Sequence, residues 1–196
     1  TTNEAGAGQI TVRVEEPSYT TNFAEQTFDF FVYDGALVFD FEDGCAMTDW
    51  TLGAEWACGT PTSGPSGCNG GSACLGTNLS GNYANYRDWG EAAADLPSIS
   101  LPTGSPTLSF AMWLRTESSY DGLNLKISTN GGTTFSTVTS VTPAYTDTSV
   151  GSESAWDDNL QSWATYTADL SAWAGQTVIL RFDFYSDISN TYAGAY

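Results

Sequence analysis

No stretch of this chain repeats its apolar residues at the helical period over the length of an ordinary helix, so strands have to bury its hydrophobic surface. The apolar residues come in short β-rich runs bounded by turn formers, at 107–115, 123–129, 133–138, 164–170 and 177–185. Asn130-Gly131-Gly132 reads as a tight turn between two of these runs, and residues 169–175 as a short helical corner ahead of Val178-Ile179-Leu180. Near the start, Ile10, Val12 and Val14 alternate with polar residues. Runs at 27–33 and 36–41 then flank Asp34-Gly35, a pair suited to a hairpin turn because both positions tolerate positive φ. Between 44 and 96 the chain is rich in Gly, Ser, Asn and Cys and reads as long loops, with residues 91–95 as one short helical turn. The class that buries so many short strands is all-β, a two-layer antiparallel β-sandwich of jelly-roll type. At 196 residues it is expected as one domain over 38–196, preceded by a β-rich N-terminal extension over 1–37.

Charge narrows the partners. Five basic against 23 acidic side chains leave a net charge of -18, which repels phosphate backbones and anionic membrane surfaces, so nucleic acid is not an expected partner. The absence of histidine removes Ser-His-Asp and Cys-His catalysis and His-ligated zinc, and the chain is expected not to be an enzyme. A two-carboxylate glycosidase is the chemistry still open, but its candidate acids, Glu91, Asp157 and Asp158, sit in no recognisable motif. No apolar run approaches the ~20 residues of a membrane span, and Thr1 to Gly6 has neither the basic nor the apolar region of a signal peptide, as in a processed start.

The four cysteines, Cys45, Cys58, Cys68 and Cys74, crowd into one Gly/Ser-rich segment without the close Cys-x-x-Cys pairs of a zinc site. Disulfides suit an extracellular chain, secreted or at a cell surface. Of the three possible connectivities, Cys45 with Cys58 and Cys68 with Cys74 closes two short sequential loops, and it is the expected one.

Several motifs occur in an order that resembles the MAM-like jelly-roll modules of secreted bacterial proteins. They are Phe41-Glu42-Asp43-Gly44 followed by Trp50; Trp56 leading into Gly59-Thr60-Pro61; Cys68 and Cys74 running into Gly76-Thr77-Asn78-Leu79; then Tyr120-Asp121-Gly122-Leu123, Ile127-Ser128-Thr129-Asn130 and Ala193-Gly194-Ala195-Tyr196. The match covers about Val38 to Tyr196. Such modules usually continue past the final Gly-x-Tyr with a closing strand, whereas this sequence stops at Tyr196.

The resemblance implies a metal site to which the acid of the Phe-Glu motif contributes, so Glu42 and Asp43 are candidate calcium ligands, with Asp88 and Asp187 from neighbouring loops. Carboxylate oxygens suit that hard cation. Tyr86, Trp89 and Trp156 lie in polar segments and are candidate platforms for a glycan or protein ligand. A non-catalytic adhesive or structural module is therefore expected, whose partner is a protein or glycan at a cell surface. The alternatives are a carbohydrate-binding module and a filament subunit whose Ile10, Val12 and Val14 strand completes a neighbour by strand exchange.

Overall fold

The computed structural model describes residues 7–14, 24–31, 37–157 and 160–196. It divides into two units, Thr1–Phe39 and Asp40–Tyr196. In the first, β1 (Ala7–Val14) pairs antiparallel with β2 (Ala24–Phe31), with Ile10 opposite Phe28, Val12 opposite Gln26 and Val14 opposite Ala24. The strand expected at 36–41 is not formed: residues 37–41 carry no ladder, β2 takes β1 as its partner, and Leu37 and Val38 stay exposed. The Asp34-Gly35 turn lies outside the described residues.

The second unit contains β3 (Thr51–Leu52), β4 (Trp56–Gly59), β5 (Cys74–Thr77), β6 (Arg87–Asp95), β7 (Ile99–Ser100), β8 (Thr107–Met112), β9 (Leu114–Arg115) and β10 (Gly122–Ser128). After these come β11 (Ser136–Thr137), β12 (Val141–Thr142), β13 (Asp147–Val150), β14 (Glu153–Ala155), β15 (Ala164–Asp169), β16 (Thr177–Ser186) and β17 (Gly194–Ala195). A six-stranded sheet runs β11-β10-β16-β6-β3, with β7 also on β16, and a three-stranded sheet runs β12-β15-β8. All the pairings are antiparallel.

Alternation along the strands decides which face is buried. Leu123, Leu125 and Ile127 of β10, Val178, Leu180 and Phe184 of β16, and Ala92 and Ala94 of β6 enter one core with Met112, Tyr166 and Ala168 of β8 and β15. Two sheets that share one apolar interior make an all-β sandwich. A 3-10 turn at Ser171–Trp173 forms the expected corner before β16. Among the described residues no helix is long and apolar enough to cross a membrane.

The 44–96 segment departs from expectation. Residues 91–95, read as a helical turn from their Glu and Ala content, belong to β6, which is hydrogen-bonded between β16 and β3. Burial of Ala92 and Ala94 against the core outweighs the high helix propensity of alanine. Gly53 marks how closely the neighbouring chain approaches: its N–H reaches the Ala93 carbonyl at 2.7 Å, and any Cβ there would strike the Glu91 backbone. Strands β13 and β14, in a stretch where the sequence predicts no element, pair as an antiparallel hairpin.

The motif at 193–196 closes against the first half of the unit. Gly194 and Ala195 pair with Arg115 and Leu114, and Tyr196 and Trp113 exchange both backbone hydrogen bonds at 2.9 Å. Gly194 has φ +96°, and a side chain there would collide with Thr77, whose hydroxyl accepts from the Ala195 N–H at 2.9 Å.

Candidate functional site

Adjacent strands bring the site together. In the β10–β16 ladder Gly122 faces Tyr185, so Asp121, one residue before β10, and Asp187, one residue after β16, emerge at the same end of the sheet. The Asp187 N–H donates to Asp121 Oδ1 at 2.7 Å. Glu117 joins them through a tight turn in which the Tyr120 and Asp121 N–H groups donate to its carbonyl, with Ser119 at φ 67°. Carboxylate oxygens of Glu117, Asp121 and Asp187 lie within 4.8 Å of one another.

The surroundings hold these groups in place without neutralising them. Tyr83 donates its hydroxyl to Asp121 Oδ2 at 2.5 Å and accepts the Glu117 N–H at 3.2 Å. Asn190 donates to Glu117 Oε1 at 2.6 Å, and the Ser189 N–H donates to Asp187 Oδ1 at 2.8 Å. Asp121 is fully buried, and burial above all pushes its carboxyl up to about 6, with the Asp187 and Glu117 charges adding to the rise and the Tyr83 and Asp187 donors opposing it. Tyr83 is pushed up too, first by burial and then by Asp121. Glu117 Oε2 is shielded from solvent and has no hydrogen-bond donor.

Three exposed apolar residues adjoin this junction along the chain or through the backbone. Tyr86 is 67 % exposed, with its N–H bonded to the Asp187 carbonyl at 2.7 Å; Tyr120 precedes Asp121, and Ile188 follows Asp187. Most apolar side chains of the sandwich are at least partly buried, and an exposed cluster of this kind marks a contact surface more often than chance placement does.

The four acids expected to share a metal are not brought together; the grouping among the described residues is Glu117, Asp121 and Asp187. Glu42 is engaged elsewhere, accepting from the Ser72 N–H at 2.8 Å, the Ser72 hydroxyl at 2.9 Å and the Ala73 N–H at 2.9 Å. Gly71, at φ +67°, permits that approach, since a Cβ there would overlap the Glu42 carboxylate. Asp43 accepts from the Ala46 N–H at 3.0 Å, and the Asp88 N–H donates to Glu91. Asp187 alone of the four lies in the cluster. Glu117 and Asp121 were missed because a single acid beside a turn carries no signal until the strand register is known. Disulfides join Cys45 to Cys58 and Cys68 to Cys74.

The aromatic candidates separate by burial. Tyr86 is open to solvent, whereas Trp89 packs on Tyr185 at 5.3 Å, lies beneath the Lys126 ammonium at 4.5 Å and donates its indole N–H to the Gly151 carbonyl at 3.1 Å. Trp156 is 0 % exposed and cannot present a face to a ligand. Of the acids considered for glycoside chemistry, Asp157 is buried and accepts from the Ser119 N–H at 2.6 Å, Glu91 accepts from the Asp88 N–H, and Asp158 lies outside the described residues.

Glu42 makes a checkable contribution of its own. Its three donors, that of Ala73 first, hold its carboxyl below the ordinary range, so its contacts stabilise the fold above the unfolded carboxylate pKa and are lost as pH falls through the lower folded value. Glu42→Gln is therefore expected to lower the melting temperature by about 2 °C at pH 7, the scale of a weak exposed contact in a chain this long. The difference should shrink in paired thermal melts as the pH is lowered through the acid range.

No family model matches the chain. It is 28 % identical over 143 residues to Bacillopeptidase F of Bacillus subtilis (strain 168), covering 72 % of this chain and 9 % of the relative. It is 32 % identical over 119 residues to the pre-pro-metalloprotease PrtV of Vibrio cholerae serotype O1, covering 59 % of this chain and 12 % of that protein. The chain thus spans about a tenth of the length of these relatives. Among solved structures it is similar to the K1 cleaved adhesin domain of Lys-gingipain from Porphyromonas gingivalis W83, at 18 % identity and TM-score 0.41, covering 75 % of this chain and 85 % of that one.

Proposed function

We propose that this chain is a non-catalytic, extracellular, MAM-like binding or assembly module of a larger bacterial protein, taking a protein or glycan at a cell surface as its partner. The observation that carries the reading is the rim where Tyr86, Tyr120 and Ile188 stand exposed around three carboxylates. Two disulfides support an oxidising compartment, and similarity to about a tenth of each of two bacterial proteases supports a module carried by larger proteins. A purified chain should be retained on arrays of glycans and extracellular-matrix proteins. The triple variant Tyr86→Ser/Tyr120→Ser/Ile188→Ser should weaken that retention at least tenfold, the effect expected when several aromatic and aliphatic anchors are lost together. Turnover of peptide or glycoside substrates by the chain, or retention indifferent to the triple variant, would overturn the reading.

A second reading, self-assembly into a filament, is favoured by one specific feature. Strand β8 ends the three-stranded sheet, so its second edge has no strand partner among the described residues, and such an edge accepts strands from other chains. The donor would be β1, whose Ile10, Val12 and Val14 already share a ladder with β2, so the hairpin would add as a unit. Native mass distributions discriminate the two readings: a filament subunit shows a ladder of masses that collapses to monomer when residues 1–16 are deleted, and a closed binding module is monomeric in both forms.

A further inference from the structure

We propose that Asn69 is a site of spontaneous, one-way modification: its side-chain amide is lost to attack by the Gly70 nitrogen, leaving isoaspartate or aspartate in the loop closed by Cys68 and Cys74. The change is independent of what the module binds. Asn-Gly occurs twice in the sequence, at 69–70 and at 130–131, and the fold treats the two pairs differently. Asn69, Gly70 and Gly71 are exposed in a stretch that belongs to no strand, and among the described residues nothing hydrogen-bonds to the Asn69 side chain or to the Gly70 N–H. Asn130 is held at both ends of its amide. Its Oδ1 accepts from the Ser128 hydroxyl at 2.8 Å and from the Thr134 N–H at 3.0 Å, and its Nδ2 donates to Thr134 Oγ1 at 2.9 Å.

The chemistry consumes only water. Once base draws off its proton, the Gly70 nitrogen bonds to Asn69 Cγ, the bond from Cγ to the amide nitrogen breaks, and ammonia leaves behind a cyclic succinimide. Water then opens one of the two imide bonds. Opening at the side-chain carbonyl gives Asp in an ordinary backbone; opening at the main-chain carbonyl gives isoaspartate, with one extra carbon in the backbone. Glycine admits the attack because it has no Cβ to obstruct it, and a Cβ placed at Gly70 would meet nothing within 4 Å, so the succinimide has room to form. The consequence falls on Glu42. Its carboxylate lies against Gly71 and is held by the Ser72 N–H, the Ser72 hydroxyl and the Ala73 N–H. Isoaspartate at 69 lengthens the backbone that presents those donors between Cys68 and Cys74, and either product adds a negative charge to the loop that holds the Glu42 anion.

The test stores the whole chain, disulfides intact, in mildly alkaline buffer and follows both asparagines by peptide mapping, with isoaspartyl methyltransferase labelling to count isoaspartate. Asn69 should convert at least about tenfold faster than Asn130, which must first break several hydrogen bonds of ordinary strength. The rate should rise with pH, and isoaspartate should appear among the products. In the reduced, unfolded chain the two rates should converge. Gly70→Val should slow conversion at 69 at least about tenfold, since a β-branched side chain crowds the attacking nitrogen, with far-UV circular dichroism unchanged. The aged parent should melt lower than the fresh one by about as much as Glu42→Gln does, and Glu42→Gln should lose little more on ageing, as expected for two changes that act on one contact. Asn69→Ser, which has no amide to lose, should keep its melting temperature. Equal rates at the two asparagines in the folded chain, or conversion at 69 indifferent to Gly70→Val, overturns the site. An aged chain that melts as the fresh one does overturns the link to Glu42.

Discussion

Replacing Trp156 with alanine is expected to cost about 3 to 5 kcal/mol of stability, the range for removing a large aromatic from a well-packed interior. Its ring lies 4.4 Å from Tyr145, 5.2 Å from Tyr166 and 5.9 Å from Phe110, and its indole N–H donates to the Pro143 carbonyl at 3.0 Å. Its backbone also exchanges two hydrogen bonds with Leu123, at 2.8 and 2.9 Å, which fastens the segment after β14 to the edge of β10. The truncation therefore removes ring contacts and leaves the Pro143 carbonyl without its donor, while the loop that remains loses its packing against β10. Urea unfolding followed by tyrosine fluorescence should show a midpoint shifted far down with little change in slope. A ligand platform behaves in the opposite way, losing binding at constant stability, so an unshifted midpoint would return Trp156 to that role.

The same residue shows where sequence reasoning stops. Strands β10 and β16 were legible because apolar and polar residues alternate, and alternation is enforced by a single buried face. Trp156 lies in a segment dominated by Ser, Glu, Asp and Asn, with Ala155 its one apolar neighbour between 152 and 159, and it reaches the interior through an isolated bridge too short to leave a periodic trace. Residues 91–95 failed for a different reason, since Ala and Glu favour helix locally and only the β16 and β3 ladders on either side convert them to strand. The acid cluster was half legible. Asp187 was singled out as a loop acid, yet its partners lie about seventy positions earlier and become neighbours only through the Gly122–Tyr185 register. Glu42 was singled out by its motif, and its oxygens are taken by backbone donors that no side-chain pattern announces.

Lys126→Met should be comparably damaging, at about 3 to 5 kcal/mol near pH 7, because it strands a buried carboxylate. On the outer face of the six-stranded sheet Lys126 lies between Glu153 and Asp183, capped by Trp89, and is itself buried. Asp183 has no exposure, and without the ammonium it retains the Gly90 N–H at 2.7 Å as its hydrogen-bond donor. Burial already raises its carboxyl above the ordinary value, with Lys126 the chief opposing influence. Removing Lys126 raises it further, so the folded variant binds that proton more tightly than the unfolded chain does. Lowering the pH then favours folding of the variant, and its deficit relative to the parent should shrink from pH 7 toward pH 4. Urea unfolding of both chains at the two pH values measures this directly, and a pH-independent deficit would show that lost packing outweighs stranded charge. The double variant Lys126→Met/Asp183→Leu removes both charges and fills the space with apolar atoms. It should recover most of the lost stability, because replacing a buried ion pair as a unit is often neutral where breaking it is not. Glu153, about a third exposed, can turn its carboxylate to water in that background.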